Sequence, residues 1–152
     1  MTGRRTQVSV IGSGSGYEAA AVEVGRLLAE RGCVIVTGGL DEVMAWALRG
    51  AREAGGTTIA IVPGESHAEA NAWADHVVVT GIGHARNLAV AASGEAVIAV
   101  GGSWGTLAEI GFAMRLGRPV VVLEGGPAVE GVPRAATPAE AVELVLAAIV
   151  SS

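Results

Sequence analysis

Continuous apolar runs, separated by longer stretches with helical patterning, constrain the fold of this chain more than any other feature. The five runs are Val8–Ile11, Val34–Val36, Ile59–Val62, Val97–Val100 and Val120–Leu123. Strands that are covered on both faces read as unbroken apolar runs, whereas strands with one face in water alternate between apolar and polar residues. The pattern therefore predicts a parallel sheet between helices, joined by right-handed crossovers.

Predicted strands and helices alternate along almost the whole chain. Strands are predicted at Gln7–Ile11, Cys33–Thr37, Thr57–Val62, His76–Val79, Ala96–Val100 and Pro119–Leu123. Helices are predicted near Tyr17–Arg31, Glu42–Ala54, Ala85–Ser93, Thr106–Leu116 and Pro138–Val150. We therefore expect a single domain over residues 1–152, with an α/β three-layer αβα fold and a mostly parallel sheet of six to seven strands. The less regular segments Glu65–Asp75 and Glu124–Ala136 are candidate lids or interface loops.

Missing residue types exclude several classes of function. All ten basic residues are arginine, so the chain has neither the lysine of a P-loop nor one for a pyridoxal-phosphate Schiff base. Aromatic residues make up 3% and the net charge is −5, which argues against a nucleic-acid partner. No apolar run approaches the ~18 residues of a membrane-spanning helix, and no signal-peptide core follows Met1. With Cys33 as its single cysteine, the chain is predicted to be cytoplasmic, without an internal disulfide or a membrane partner.

Glycine-rich loops follow several of the predicted strands. In doubly wound α/β sheets, ligands bind beyond the carboxyl ends of the strands, where the strand order reverses. The first such loop, Gly12–Gly16, lacks the full dinucleotide-binding spacing, and Thr37 stands where an acidic residue would hold a ribose. A tight strand-to-helix turn explains these glycines equally well. The candidate ligand contacts from the loops after the first and second strands are Gly12, Ser13, Gly38 and Gly39.

The loop after the fifth predicted strand gives the most specific signal. Its candidate phosphate contacts are Gly101, Gly102, Ser103, Gly105 and Thr106. Backbone N–H groups at the start of a helix, helped by two hydroxyl groups and the helix dipole, suit an anion. Glu109 lies one turn into the following helix, so its carboxylate can point back toward the loop. The alternative for Glu109 is a solvated glutamate on a helix surface.

A second helix start supplies a candidate cation, Arg86, and its neighbour Asn87. The guanidinium of Arg86 could clamp a phosphate, form a bidentate pair with Glu109, or belong to a surface salt bridge. Trp104 could stack on a ring of the ligand or fill a hydrophobic seam, and Met44 is assigned to the core or to an interface. His67 and His76 have no companions at metal-ligand spacing, so no metal site is predicted.

Several segments of the chain, taken in order, resemble a known family. They are Val10–Gly14; Thr37–Met44 with Gly50–Gly56; Ala85–Asn87; and Val100–Ile110 followed by Gly117–Leu123. On these segments the chain resembles the Rossmann-like, lysine-decarboxylase-like nucleotide-binding family, which includes the LOG phosphoribohydrolases and the molybdenum cofactor carrier proteins. Despite the family's name, the absence of lysine excludes a pyridoxal-phosphate lysine decarboxylase.

The resemblance assigns possible catalytic roles to two residues. In LOG enzymes an arginine and a glutamate cleave the N-glycosidic bond of a nucleoside 5′-monophosphate, and these match Arg86 and Glu109. Three positions depart from the enzyme pattern: Val100 stands for a proline, Asn87 for a lysine and Glu42 for a glycine. The Arg-Asn pair is closer to the carrier proteins.

The resemblance implies binding of a small phosphorylated molecule, either a nucleotide monophosphate or a pterin-type ligand such as the molybdenum cofactor. A LOG-like phosphoribohydrolase is the alternative, and a sensor whose pocket is blocked by Glu42 and Trp104 is a third possibility. Apolar residues make up 51% of the chain, and the helix Glu42–Ala54 has apolar residues on more than one face. We therefore also expect a homo-oligomer, either a dimer or a tetramer.

Overall fold

The computed structural model of the chain describes residues 3–151. Its strands are β1 (Gln7–Ser13), β2 (Val34–Thr37), β3 (Thr58–Val62), β4 (His76–Val79), β5 (Ala96–Gly101), β6 (Val120–Leu123) and β7 (Arg134–Ala135). Its α-helices are α1 (Glu18–Glu30), α2 (Val43–Glu53), α3 (Arg86–Ser93), α4 (Trp104–Arg115) and α5 (Pro138–Ser151). Two short 3₁₀ turns lie at His67–Glu69 and Gly83–Ala85.

One seven-stranded sheet organises these elements, in the order β4-β3-β2-β1-β5-β6-β7. Every strand pairing in it is parallel. The helices α1, α2 and α5 cover one face of the sheet, and α3 and α4 cover the other. The predicted three-layer Rossmann-like fold is confirmed. Because β2 to β4 lie on one side of β1 and β5 to β7 lie on the other, the strand order reverses between β1 and β5.

The two central strands are buried on both faces. Val10 and Ile98 belong to the core beneath α1, α2 and α5, whereas their neighbours Ile11 and Ala99 belong to the core beneath α3 and α4. Alternate residues of a strand point to opposite faces, so each strand contributes to both cores. Burial of each valine or isoleucine side chain among them is worth about 1.5–3 kcal/mol. The loops that follow these strands are therefore held on a rigid base.

Most element boundaries agree with the predicted ones to within one residue, and larger departures occur at three places. β1 continues to Ser13, because Gly12 and Ser13 still pair with Val100 and Gly101 of β5. α4 begins at Trp104, two residues before the predicted start, so half of the supposed glycine loop is helical. β7 lies inside a segment predicted to be irregular and pairs with the edge strand β6.

The segment Glu65–Asp75, a candidate lid, is fixed to the body of the protein. The side-chain N–H of Asn71 donates to the carbonyl of Leu40 at 2.9 Å, and its backbone N–H donates to the carbonyl of Gly39 at 2.8 Å. At the end of the segment, Asp75 accepts a hydrogen bond from the backbone N–H of Thr58 at 2.9 Å. These hydrogen bonds hold the segment against the loop that follows β2.

The apolar side chains of α2 pack against other parts of the same chain. Val43, Ala47 and Leu48 are buried against α1 and the sheet, and Trp46 packs against the same core. The argument for an oligomer from this helix therefore fails, and the homo-oligomer stays a prediction. Several of the exposed apolar side chains lie instead on α3 and α4, namely Leu88, Trp104, Phe112 and Met114. Across residues 3–151, no helix combines the length and the hydropathy needed to span a bilayer.

Candidate functional site

A cleft of about 140 Å³ lies at the carboxyl ends of β1 and β5, where the strand order reverses. It is lined by Val10, Ile11, Gly12, Ser13, Gly38, Met44, Arg86, Asn87, Ser103, Gly105, Thr106 and Glu109. Each of the loops predicted to reach this edge contributes to the lining. Pockets that enclose a whole drug-sized ligand have roughly 300–1,000 Å³. This cleft is therefore sized for one end of a ligand, with the rest lying toward solvent.

The N-terminus of α4 presents free backbone donors at this cleft. Ser103 is the N-cap residue, and its backbone N–H donates to Thr106 Oγ1 at 3.2 Å. The hydroxyl of Ser13, at the end of β1, donates to the hydroxyl of Ser103 at 3.3 Å. The N–H groups of Trp104 and Gly105, in the first turn, have no acceptor among residues 3–151. Unpaired N–H groups and the helix dipole together favour an anion here.

Arg86, the first residue of α3, supplies the positive charge. Only 7% of its surface is exposed, and this burial lowers the pKa of its guanidinium. Nη1 donates to Asn87 Oδ1 and Nη2 donates to the carbonyl of Gly38 at 3.3 Å, while the buried Nε has no partner among residues 3–151. A Cβ on Gly38 would come within 2.8 Å of Nη2, so glycine at this position makes room for the guanidinium.

Glu109 is the carboxylate of the cleft. It is 9% exposed, and burial raises its pKa to about 7, against the opposing attraction of Arg86. The bidentate pair with Glu109, one of the alternatives considered for Arg86, is not formed, because the guanidinium is bonded to Asn87 and Gly38 instead. A carboxyl group with a pKa near 7 populates both protonation states at neutral pH. That property suits proton transfer and is typical of functional sites.

The raised pKa of Glu109 predicts an unusual dependence of stability on pH. Between about pH 4.5 and 7 the folded chain holds a proton on Glu109 that the unfolded chain has released, so stability falls as the pH rises through this range. The loss amounts to about 3 kcal/mol. We expect Glu109→Gln to remove it, so that the variant gains stability over the wild-type chain at pH 8 and not at pH 4.

Urea unfolding at pH 4, 6 and 8 measures this effect. The matched control is Glu130→Gln, which removes an exposed carboxylate outside the cleft. The control should follow the wild-type curve. If the free energy of unfolding of Glu109→Gln differs from that of the wild-type chain by the same amount at all three pH values, Glu109 does not titrate near neutrality.

Three of the predicted contacts lie outside the cleft lining. The N–H of Gly39 donates to Thr37 Oγ1 at 3.0 Å, and a Cβ there would lie 2.5 Å from that of Ala60. A Cβ on Gly101 would come within 2.4 Å of the carbonyl oxygen of Ser13, and one on Gly102 within 2.8 Å of the Thr106 side chain. At these three positions, glycine is explained by the close contact of other parts of the chain, which leaves no room for a Cβ atom.

The structure also places residues that the sequence pattern assigned elsewhere. Met44 lines the cleft, although the sequence pattern assigned it to the core or to an interface. Trp104 is 85% exposed, so the interpretation that it fills a hydrophobic seam is wrong within the monomer. Neither Trp104 nor Glu42 lines the cleft, which leaves the blocked-pocket interpretation without support.

The sheet order and the cleft at its reversal point define a Rossmann-like α/β protein. More narrowly, residues 5–148 match the SLOG cluster4 family, and the chain belongs to this family. An uncharacterized protein of Archaeoglobus fulgidus is 40% identical over 139 residues, which cover 90% of this chain and 91% of the relative. The family resemblance inferred from the motifs is confirmed.

Solved structures extend the similarity to proteins with known ligands. The molybdenum cofactor binding protein of the phototrophic bacterium Rippkaea orientalis is 30% identical, with a TM-score of 0.90 over 97% of this chain and 99% of that one. The molybdenum cofactor carrier protein of Chlamydomonas reinhardtii is 32% identical, with a TM-score of 0.87 over 98% of this chain and 100% of that one. The similarity covers nearly the full length in both pairs.

Proposed function

We propose that this protein binds a small phosphorylated molecule in the cleft, with the phosphate at the N-terminus of α4. The observation that carries this proposal is that Arg86 and the first turn of α4, where the N–H of Gly105 is unpaired, line the same cleft at one edge of the sheet. The ligand is either a nucleotide monophosphate or a pterin-type molecule such as the molybdenum cofactor. The names of the similar bacterial and algal proteins support the second possibility.

Different residues of the cleft would bind different parts of the ligand. The Arg86 guanidinium has donors left over after its bonds to Asn87 and Gly38, and these can hold phosphate oxygens. Each charge-assisted hydrogen bond is worth about 1.5–3 kcal/mol. The hydroxyl groups of Ser103 and Thr106 add further donors, and the pterin or base would extend toward the mouth. Bound molybdenum cofactor would be cargo, held by its phosphate.

The buried carboxyl group of Glu109 favours a second candidate, hydrolysis of a nucleoside 5′-monophosphate. Departure of the base leaves positive charge on C1′ of the ribose, which an ionised Glu109 would stabilise while Arg86 and α4 hold the 5′-phosphate. Water then adds to C1′, so that the products are free base and ribose 5-phosphate. Because the carboxylate must be ionised, this activity would rise as the pH passes through about 7.

One experiment separates binding from hydrolysis. The protein is incubated with AMP; free adenine is measured by chromatography, and bound intact AMP by calorimetry. Binding without release of adenine over hours supports the binding protein, whereas release that is lost in Glu109→Gln and kept in Glu130→Gln supports the hydrolase.

A complementary measurement addresses the pterin ligand. Native mass spectrometry and molybdenum analysis of the purified protein would reveal a co-purified cofactor. A chain that binds neither AMP nor any phosphorylated pterin at this cleft would overturn the proposal.

A further inference from the structure

Glu42 has a backbone conformation that a glutamate does not favour. Its φ is 55° and its ψ is −127°, and within residues 3–151 no other non-glycine residue has a positive φ. Glycine enters this region freely, whereas L side chains avoid it because of steric crowding at Cβ. Such strain persists where the surrounding structure enforces it, and it clusters at ligand-binding sites. A glutamate in this strained conformation therefore points to a role for its side chain.

The side chain of Glu42 joins the loop after β2 to the loop after β1. Its Oε1 accepts a hydrogen bond from the backbone N–H of Gly14 at 3.3 Å. Both ends of this bond border the cleft, because Gly14 follows Ser13 and Glu42 lies two residues before Met44, and Ser13 and Met44 both line it. A carboxylate of the chain itself is therefore hydrogen-bonded at the rim of the cleft.

The first glycine-rich loop is the place where dinucleotide-binding folds hold a pyrophosphate through backbone N–H groups. In this chain the Glu42 carboxylate already occupies one of those groups. Among the described residues that line the cleft, Arg86 is the sole arginine, and it lies in the field of Glu109. A second phosphate on the ligand would thus meet the negative charge of Glu42, and the described residues of the cleft lining offer no further cation to offset it.

We infer that Glu42 determines specificity by limiting the ligand to a single phosphate group. Phosphomonoesters place their phosphate at α4 and leave Glu42 undisturbed, whereas diphosphates are rejected by the carboxylate that holds Gly14. This inference rests on the proposed function, since it takes the first phosphate to bind at α4.

The test compares AMP with ADP by calorimetry in the wild-type chain and in Glu42→Gly. We expect the wild-type chain to prefer AMP, and the variant to raise the affinity for ADP relative to AMP by about tenfold or more, because an N–H is freed and a negative charge is lost. The melting temperature of Glu42→Gly should rise as well, since glycine relieves the strained φ. Glu42→Gln, which loses the charge and keeps the strain, should give a smaller rise in relative ADP affinity.

The matched control is Asp41→Asn, because Asp41 is an exposed neighbour whose carboxylate has no bond to Gly14. Its ratio of AMP to ADP affinity should equal that of the wild-type chain. AMP binding with an unchanged ratio in Glu42→Gly, or an equal change in Asp41→Asn, overturns the inference and leaves the proposed function standing. Binding of neither nucleotide by the wild-type chain and by Glu42→Gly overturns the inference for nucleotides, and the proposed function falls with it only if phosphorylated pterins also fail to bind.

Discussion

Replacing Arg86 by methionine is expected to weaken the binding of AMP at least a hundredfold. The variant loses the guanidinium donors of the cleft, and two charge-assisted hydrogen bonds are together worth about 3–6 kcal/mol. It also loses the positive charge that holds down the pKa of Glu109. The fold should survive, because an uncharged methionine fills part of the same space and avoids the cost of burying a cation whose Nε has no partner among the described residues.

Calorimetry with AMP measures this loss, and thermal unfolding checks that the variant is folded. The matched control is Arg115→Met, which removes the same charge from an exposed position in the last turn of α4. Arg86→Lys should recover part of the affinity, since it restores the charge and not the planar fork. A folded Arg86→Met that binds AMP as tightly as Arg115→Met would place the phosphate away from Arg86.

The fold could be predicted from the sequence because its central strands are buried on both faces. Unbroken apolar runs such as Val97–Val100 identify such strands without reference to the rest of the chain. β7 was missed because it has two residues, one of them an exposed arginine, and forms only by pairing with β6. The early start of α4 was missed because the sequence Gly-Gly-Ser-Trp-Gly reads as a loop, although Ser103 caps the helix that follows it.

Part of the site could be predicted from the sequence, because the topology brings the carboxyl ends of the parallel strands to one edge of the sheet. Arg86 and Glu109 lie at the same cleft although the sequence separates them by 23 positions (109 − 86). A sequence cannot tell whether a glycine makes room for a ligand or for the chain. Gly12 illustrates this: it lines the cleft, yet a Cβ on it would lie 1.8 Å from the carbonyl oxygen of Val100. Met44 was missed because the same spacing suits a core residue and a cleft residue.

Replacing Gly50 by alanine is expected to destabilise the fold by about 3 kcal/mol or more, and so to lower the melting temperature by about 10 °C. Helices α1 and α2 cross at two glycines: a Cβ on Gly50 would lie 2.0 Å from the carbonyl oxygen of Val22, and one on Gly25 would lie 1.9 Å from that of Ala47. Backbone atoms cannot rotate aside as a side chain does. The two helices would have to separate, and the buried contacts between them, including those of Ala47 and Ala51, would loosen.

Gly111→Ala provides a control for which we expect the opposite change in stability. It also lies within a helix, α4, but a Cβ there would meet nothing within 4 Å. Gly111→Ala should therefore stabilise the protein by about 0.5–1 kcal/mol, because alanine has the higher helix propensity. Gly50→Ala gains the same propensity, so the difference between the two variants in chemical or thermal unfolding isolates the steric conflict. If both variants are stabilised alike, α1 and α2 do not pack as closely as the glycine pair requires.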